Sequence, residues 1–236
     1  MSQETQQKNS VAREIAYTVL VVLSAVILIR TTVVQAFYIP SGSMEDTLLV
    51  GDYLLANKFV YGAPLDIIGT NVNLGRLPGL RDPQPGDIVI FRSPTEPDKD
   101  LIKRCVAVGG QTVEIANKRL LVDGTPFEDP PLAKYEDRRV LPGDLSTRDN
   151  LGPFKVPADH FFMMGDNRDN SSDGRVFGPV PKKLIKGKAM IIYWSWASDD
   201  RPPYYTGLAS LPEVLATSLW RLPGRVRLGR MGDVIH

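Results

Sequence analysis

The chain has 236 residues, of which 43% are hydrophobic, with 28 Lys and Arg against 27 Asp and Glu. This composition is ordinary for a globular protein with a hydrophobic core, and it excludes a disordered or fibrous chain. The near-zero net charge offers no electrostatic footprint for nucleic acid, so we expect no nucleic-acid partner. The single cysteine, Cys105, excludes an intramolecular disulfide and a multi-cysteine metal site.

The first element in chain order is a hydrophobic segment near the N-terminus. Residues 15–29 carry no charge, and after Arg30 the apolar character resumes as far as Tyr38. As a helix the uncharged run alone would rise about 22 Å, and continuation to Tyr38 makes it long enough for a hydrocarbon core of roughly 30 Å. We therefore predict one transmembrane anchor over residues 15–38, preceded by a tail over residues 1–14. A cleavable secretory signal is the alternative, but the run exceeds a typical h-region and no small-x-small site follows it.

The pattern beyond the anchor is that of a mainly β protein. Short β-rich runs alternate with Gly, Pro, Asn and Asp, and they predict strands at GDIVIF, TVEI, RLLVDG, HFFMMGD and KAMIIYWSW. No segment between Asp52 and Trp196 has a helical period. Residues 111–157 begin with a predicted hairpin and continue through a polar, Pro-rich stretch, which indicates an inserted β subdomain. Residues 210–222 have the spacing of a short amphipathic helix, and the arginines after it suit a solvated edge or contact with anionic lipid.

Directly after the anchor, two serines flank a glycine in IPSGSMEDTLLVGD. Gly42 permits a tight turn that can leave one hydroxyl facing outward as a nucleophile. A backbone N–H, and the other hydroxyl of the Ser41 and Ser43 pair, can then point at an oxyanion. Taken alone, the same composition also suits an ordinary loop, so a plain turn stays an open alternative.

A lysine interrupts the otherwise apolar run DLIKRCVAVGG. If apolar side chains enclose the ammonium of Lys103, desolvation lowers its pKa, and the neutral amine can accept a proton from a serine hydroxyl. The competing interpretation is that the strand alternates and Lys103 faces water. Cys105, two residues further on, is predicted to lie on the same face as a small packing residue.

The third polar segment, MGDNRDNSSDGRVFGPV over residues 164–180, is dense in Asp, Asn, Arg, Ser and Gly. Such a run is typical of a turn network in which carboxylates and guanidinium groups satisfy one another's hydrogen bonds. Its spacing does not match an EF-hand loop and no Glu closes it, so we expect no metal. A catalytic histidine would have to be His160, which we interpret instead as a strand residue in the core wall.

Together these segments resemble bacterial signal peptidase I, the Ser-Lys endopeptidases that remove leader peptides at the outer face of the plasma membrane. The resemblance begins with IRTTVVQAFYIP and continues through PSGSMEDTLLVGDYLLANKFVYG, PQPGDIVIFR, DLIKRCVAVGG and MGDNRDNSSDGRVFG, and it includes the closing RLGRMGDVIH. The four segments from PSGSMEDTLLVGDYLLANKFVYG to MGDNRDNSSDGRVFG correspond to the family's sequence boxes in the same order. Agreement of all four is far more specific than agreement of any one.

The resemblance implies a role for each matching residue. Ser43 attacks the scissile carbonyl, Lys103 is its general base, and Ser41 forms the oxyanion hole together with the Ser43 N–H. Ser171 matches the residue that hydrogen-bonds the catalytic lysine. The residues that match those holding the site in shape are Asp173 and Arg175. The structural part of the same box is Asp166, Asn167 and Arg168.

The resemblance also implies an architecture and a location. We expect an antiparallel β-sheet catalytic domain of the signal peptidase type over residues 39–236, with residues 111–157 as its insert. The protein would be single-pass in the bacterial plasma (inner) membrane, with the tail inside and the catalytic domain on the outer, periplasmic side. Its partners would be the lipid bilayer and the signal peptides of exported preproteins, which dock as an added strand. No metal or organic cofactor is expected.

Two departures from the family pattern concern loop geometry. Glu45-Asp46 stands where many members have a residue followed by Pro, and Gly174 replaces a frequent serine. Three alternative functions stay open: a self-cleaving repressor, a specialised Ser-Lys peptidase that matures one secreted partner, and a non-catalytic membrane-tethered β-domain adapter. No DNA-binding helical module precedes the β-domain, which argues against the first.

Overall fold

The computed structural model describes residues 2–66, 73–197, 212 and 224–236. The chain opens with helix α1, Ser2–Thr32. Within it, the side chains of the uncharged run at residues 15–29 are all exposed. Among the residues that the structure describes, no helix combines the length and the apolar character of a membrane span. The transmembrane anchor stays a prediction.

The end of the predicted anchor is not helical. We expected the helix to continue to Tyr38, but it ends at Thr32, and Val34–Tyr38 forms strand β1. This strand pairs antiparallel with β2, Asp52–Asn57. Its β-branched and aromatic residues favour a strand, and Phe37 packs against the hydrophobic core. Pairing with β2 and burial of Phe37 therefore outweigh continuation of the helix.

The main sheet has seven antiparallel strands, and β1 forms one of its edges. In spatial order its strands are β1, β2, β13 (Ile185–Ser195), β5 (Ile88–Arg92), β6 (Asp100–Val108), β11 (His160–Met164) and β12 (Val180–Pro181). Strand β6 lies between β5 and β11, so both of its edges are paired. A side chain in the middle of β6 is therefore removed from water when a loop covers its face.

The remaining strands form two smaller sheets. The four-stranded sheet has the order β10 (Leu151–Lys155), β7 (Thr112–Ala116), β8 (Arg119–Val122) and β9 (Thr125–Pro126). The two-stranded sheet consists of β3 (Pro64–Asp66) and β4 (Asn73–Arg76). Strands β7 and β8 form the predicted hairpin, with Val113 opposite Val122. The boundaries of the insert at residues 111–157 stay a prediction.

A hydrophobic cluster fixes the segment after β1 to the main sheet. Met44 and Leu48 are fully buried among side chains of β2, β5 and β13. The cluster consists of Ile39, Met44, Leu48, Leu54, Ala56, Ile88, Ile90, Ala189, Ile192 and Ile235. Burial of each large apolar side chain contributes about 1.5–3 kcal/mol. The short polar turn between Ile39 and Met44 is thus held at both ends by the core.

The strand predictions are confirmed for all five runs, which correspond to β5, β7, β8, β11 and β13. The structure adds one short helix, α2, Gly174–Phe177, inside the third polar segment. A single helical turn is too short to show a 3.6-residue period, so the sequence did not predict it. The amphipathic helix predicted over residues 210–222 lies outside the described residues apart from position 212.

Candidate active site

Ser43 lies on a short helical turn that projects from the end of β1. Ser41 is extended, with φ −138° and ψ 156°, and the chain then makes a 3-10 turn over Gly42–Met44. Because the first N–H groups of a helical turn have no partner within it, the Ser43 N–H is available to an incoming acceptor. Met44 is fully buried while Ser43 is only half-buried, so the turn presents its hydroxyl on the surface of the core.

The turn belongs to a closed loop, residues 39–52, which we call the nucleophile loop. Its ends are tied together, because Ile39 N donates to Asp52 O at 2.9 Å and Gly51 N donates to Ile39 O at 3.0 Å. Inside it, Leu48 N donates to Met44 O at 2.7 Å. These hydrogen bonds close the loop and fix the position of the Ser43 turn relative to the sheet.

Lys103 lies in the middle of β6, opposite Val89 of β5, and its Nζ donates a hydrogen bond to Ser43 Oγ. Only 3% of Lys103 is exposed. Burial lowers the pKa of Lys103 from its usual 10.5 to about 8, and the neighbouring charge of Asp173 opposes that shift. The alternative that Lys103 faces water is therefore wrong, because its amino group lies against the Ser43 turn and near Asp173 and Arg175.

Asp173 and Arg175 form a buried ion pair beside the lysine. Arg175 Nε and Nη2 donate to the two Asp173 oxygens at 2.8 and 2.7 Å, and Asp173 also caps α2. Burial alone would raise the pKa of Asp173, but hydrogen bonds and the charge of Arg175 lower it. Asp173 is consequently an anion near Lys103, and Arg175 keeps it in place.

Ser171 lies in the same region but does not make the expected bond. Its Oγ is buried without a hydrogen-bond partner of good geometry among the described residues. It is close enough to Asp173 to add to the lowering of the pKa of that carboxyl. In this structure the hydrogen bond to Lys103 that the resemblance implies is therefore not formed.

The structural part of the third segment contacts the nucleophile loop directly. Asn167 N donates to Ser43 O at 3.1 Å. Asp166 is fully buried, receives two bonds from Arg104 at 2.9 and 2.8 Å, and accepts the Thr47 hydroxyl at 2.7 Å. The sequence interpretation missed Arg104 and Thr47, although Arg104 follows the catalytic candidate directly. The available signal was the presence of a second charged residue, Arg104, in an otherwise apolar run.

The Glu45-Asp46 departure has a visible geometric consequence. Asp46 has φ +72°, a left-handed conformation that a proline ring cannot adopt. The two carboxylates face Lys134, whose Nζ lies 3.2 Å from Glu45 and 3.8 Å from Asp46. The backbone of this chain therefore leaves the nucleophile turn differently from a chain with Pro at this position.

Gly165 permits the close approach of the two segments that meet at Ser43. A Cβ built on Gly165 would collide with the Ser43 carbonyl oxygen and with the Ser171 side chain. We predict that Gly165→Ala displaces the Ser43 turn from Lys103 and lowers kcat about 100-fold, since misplacement by about 1 Å can have that effect. Steady-state kinetics on a peptide substrate would test this, with Gly152→Ala as control because a Cβ there meets nothing within 4 Å. Equal kcat values for both variants would contradict the prediction.

His160 does not lie with the serine and lysine. It begins β11, is only partly buried, and its Nδ1 lies 2.8 Å from the Ala158 carbonyl oxygen. With its neighbours it lines a separate cleft of about 770 Å³. His160 is therefore a strand residue, as predicted, but its predicted place in the core wall is wrong, because it lies at the partly buried start of β11. Cys105, by contrast, is fully buried among apolar side chains, as predicted for a packing residue.

Comparison with known proteins identifies the family. The model of the family described as "Signal peptidase, peptidase S26" matches residues 12–194. Signal peptidase I of Pseudomonas aeruginosa is 39% identical over 204 residues, which cover 74% of this chain and 70% of that protein. Signal peptidase I of Aquifex aeolicus is 33% identical over 256 residues, which cover 87% of this chain and 93% of that protein.

A crystal structure of a signal peptidase I from Enterococcus faecalis V583 is 26% identical and covers 46% of this chain and 97% of that one, with a TM-score of 0.37. That overlap is too low to support a conclusion about the fold. The family model matches residues 12–194, which include Ser43, Lys103, Asp173 and Arg175, and both relatives cover most of the chain. The chain therefore belongs to the signal peptidases of peptidase family S26, and it is a serine endopeptidase.

Proposed function

We propose that this protein removes N-terminal signal peptides from exported preproteins, with Ser43 as nucleophile and Lys103 as general base. The observation that carries the proposal is the hydrogen bond between a buried lysine of lowered pKa and the hydroxyl of the half-buried Ser43. A serine hydroxyl is a weak nucleophile until an adjacent base accepts its proton, and a neutral amine is able to do so.

In the proposed mechanism the direction of the Ser43–Lys103 bond reverses when the amine is neutral. Lys103 Nζ then accepts the Oγ proton as Oγ attacks the carbonyl carbon of the scissile peptide. The resulting ammonium next protonates the leaving amine, and a water molecule hydrolyses the acyl-enzyme with Lys103 again acting as base. The charge of the buried Asp173 stabilises the Lys103 ammonium between these two proton transfers.

The Ser43 N–H and the Ser41 hydroxyl are the proposed oxyanion hole. Ser41 is exposed and extended, and it immediately precedes the 3-10 turn whose first N–H groups lack partners. Donors fixed before the reaction stabilise the developing negative charge without reorganisation. The roles of Ser171, Asp173 and Arg175 in supporting the dyad belong to the same proposal.

Membrane anchoring through α1 is the second part of the proposal. Its support is the uncharged run of residues 15–29, whose apolar side chains are exposed and would otherwise face water. The run rises about 22 Å, and Arg30 is able to extend its charged end toward the outer interface. We infer a single-pass topology with the catalytic domain on the outer, periplasmic side of the plasma membrane, as in single-span relatives.

Cleavage of a model preprotein by the detergent-solubilised full chain tests the proposed function. We expect one cut after a segment with small residues at the first and third positions before the scissile bond, mapped by mass spectrometry of both products. A matched preprotein with phenylalanine at those two positions should stay intact. Cutting of a single natural partner and no general preprotein would favour the specialised peptidase, while failure of a serine-directed acylating probe to label Ser43 would favour the non-catalytic adapter.

The pH dependence of cleavage tests the base. Because only neutral Lys103 accepts a proton, and its pKa is about 8, kcat should rise with pH through that value and fall in acid. Initial rates between pH 6 and 10, on a peptide with no group titrating in that range, would give the apparent pKa. A rate that is flat between pH 6 and 9, with chemistry limiting, would contradict this assignment.

A further inference from the structure

The C-terminal segment, residues 224–236, lies along β13 beyond the point where β5 stops pairing with it. Strand β5 pairs with β13 only between Ile185 and Lys188. Further along β13, Gly232 N donates to Ile192 O at 2.8 Å and Ile235 N donates to Met190 O at 2.9 Å. The segment is therefore a fixed part of the sheet region that borders the nucleophile loop.

Arg230 of this segment is paired with a buried carboxylate. Asp52 is fully buried and accepts from Arg230 Nε at 3.2 Å and Nη2 at 2.7 Å. Asp52 also accepts from Leu49 N at 2.9 Å and from Ser195 Oγ at 2.6 Å. Its hydrogen-bonding capacity is thus filled, and Arg230 supplies the balancing charge.

The same arginine reaches the nucleophile loop. Arg230 Nη2 donates to the carbonyl oxygen of Thr47 at 3.0 Å, and Arg227 Nη2 donates to that of Val50 at 2.5 Å. Ile235 packs in the apolar cluster that contains Met44. Two guanidinium groups and one apolar side chain therefore hold the half of the loop that follows Ser43.

Thr47 links this contact to the reacting groups. Its hydroxyl donates to Asp166 Oδ2, whose charge is one of those that raise the pKa of Lys103 against the effect of burial. A shift of Thr47 would therefore move both the turn that carries Ser43 and a carboxylate near Lys103. The path from Arg230 to Lys103 therefore consists of two hydrogen bonds, from Arg230 to Thr47 and from Thr47 to Asp166, followed by the charge of Asp166.

We propose that Arg230 is a positioning residue of the cleavage reaction, which acts by holding Thr47 and with it the Ser43 turn at hydrogen-bonding distance from Lys103. This inference rests on the proposed function for its kinetic consequence. Its structural half, that Arg230 orders the nucleophile loop, stands on the contacts alone.

Arg230→Met should lower kcat about 10- to 100-fold and change KM little, because loss of position at the reacting atoms affects the chemical step most. It also leaves Asp52 as a buried unpaired carboxylate, which reduces stability. The double variant Asp52→Asn/Arg230→Met separates these effects, since the neutral amide no longer needs a cation. Its oxygen can still accept from Leu49 N, and its NH2 group can donate to the Ser195 hydroxyl, which is able to accept as well as donate. We expect the double variant to regain stability and to keep the low kcat.

Arg148→Met is the matched control. Arg148 also binds a buried carboxylate with two hydrogen bonds, to Asp149 at 2.9 and 2.7 Å, and its side chain is about as exposed as that of Arg230. No side-chain contact of Arg148 to the nucleophile loop occurs within the described residues. This variant should lose stability while kcat, measured well below its melting temperature, stays within about twofold of the parent.

Hydrogen exchange of the amides from Met44 to Leu49 supplies a readout that does not depend on cleavage. We expect faster exchange in the double variant than in the parent, whose global stability it regains. We also expect faster exchange than in Arg148→Met, although that variant is less stable. Unchanged exchange, or a kcat that recovers together with stability, would overturn the proposal. If the parent itself cleaves no preprotein, the proposed function fails, and the exchange experiment still decides whether Arg230 orders the loop.

Discussion

Ser43→Ala and Lys103→Ala should each reduce cleavage of a leader peptide by at least about 10³-fold, because nucleophile and base act as one unit. We expect no other group among the described residues to replace either one. Ser43 Oγ is the hydroxyl that accepts the Lys103 hydrogen bond, and Lys103 is only 3% exposed. His160, the histidine that a conventional triad would need, lines a different cleft.

The measurement is kcat/KM on a peptide that spans a signal-peptide cleavage site, together with circular dichroism to verify the fold. Ser93→Ala and Lys186→Ala are suitable controls, since Ser93 is a buried serine in a loop and Lys186 pairs with Asp100 on the sheet. Both controls should retain activity near that of the parent. Full activity of a folded Ser43→Ala or Lys103→Ala variant would refute the assignment of the dyad.

Lys103→Met should make the protein more stable at pH 6–7 by up to about 3 kcal/mol while it abolishes activity. The pKa of Lys103 falls from 10.5 in the unfolded chain to about 8 in the native one. Below pH 8 the amine is charged in both states, so the native state bears the full desolvation cost. Between pH 8 and 10.5 the native state releases its proton first, and the parent gains stability as pH rises. Above pH 10.5 the amine is neutral in both states, and the cost of desolvating its charge disappears.

The difference in unfolding free energy between Lys103→Met and the parent should therefore shrink from pH 8 upward. Urea denaturation at several pH values measures it, and the other titrating groups cancel in the difference. Lys134→Met is the control with the opposite sign, because hydrogen bonds to Glu136 and Glu45 raise the pKa of half-buried Lys134 to about 12. That variant should be no more stable than the parent at pH 7. A Lys103→Met variant that is less stable than the parent at pH 6–7 would contradict the prediction.

The desolvation of Lys103 underlies both its effect on stability and its role as a base. A charged lysine in this position destabilises the fold, and the same desolvation makes the amine a base near neutral pH. The buried anion Asp173 moderates the shift, and Arg175 prevents Asp173 from becoming an uncompensated charge. The ion pair thus adjusts how strongly burial lowers the pKa of Lys103.

Much of the fold was predictable because its signals are local. The five β-rich runs, from GDIVIF to KAMIIYWSW, became strands, and the turn residues between β7 and β8 correctly indicated a hairpin. The end of α1 was not predictable in the same way. Apolar residues after Arg30 suit a helix in lipid and a strand in a sheet equally well, and the partner β2, which settles the choice, lies about 20 residues further along the chain.

Supporting residues of the site escaped the sequence interpretation for a similar reason. Thr47, Gly165 and Arg230 are ordinary residue types in ordinary loops, and nothing local distinguishes them from other threonines, glycines and arginines. Their importance comes from what lies opposite them: a buried carboxylate, a carbonyl oxygen in close approach, and a buried anion with a loop above it.

The sequence by itself determined the residue types and their order: a serine turn after an apolar segment, a lysine within an apolar strand, and a polar segment that contributes Asp173 and Arg175. Tertiary structure alone decided that Lys103 is buried and meets Ser43, which is 60 residues away in the chain. The physical reason is that water is excluded from a strand lysine only by what packs over it. Here the surroundings of Lys103 come from the paired strands β5 and β11, the Ser43 turn and the segment with Asp173 and Arg175, which no local pattern connects.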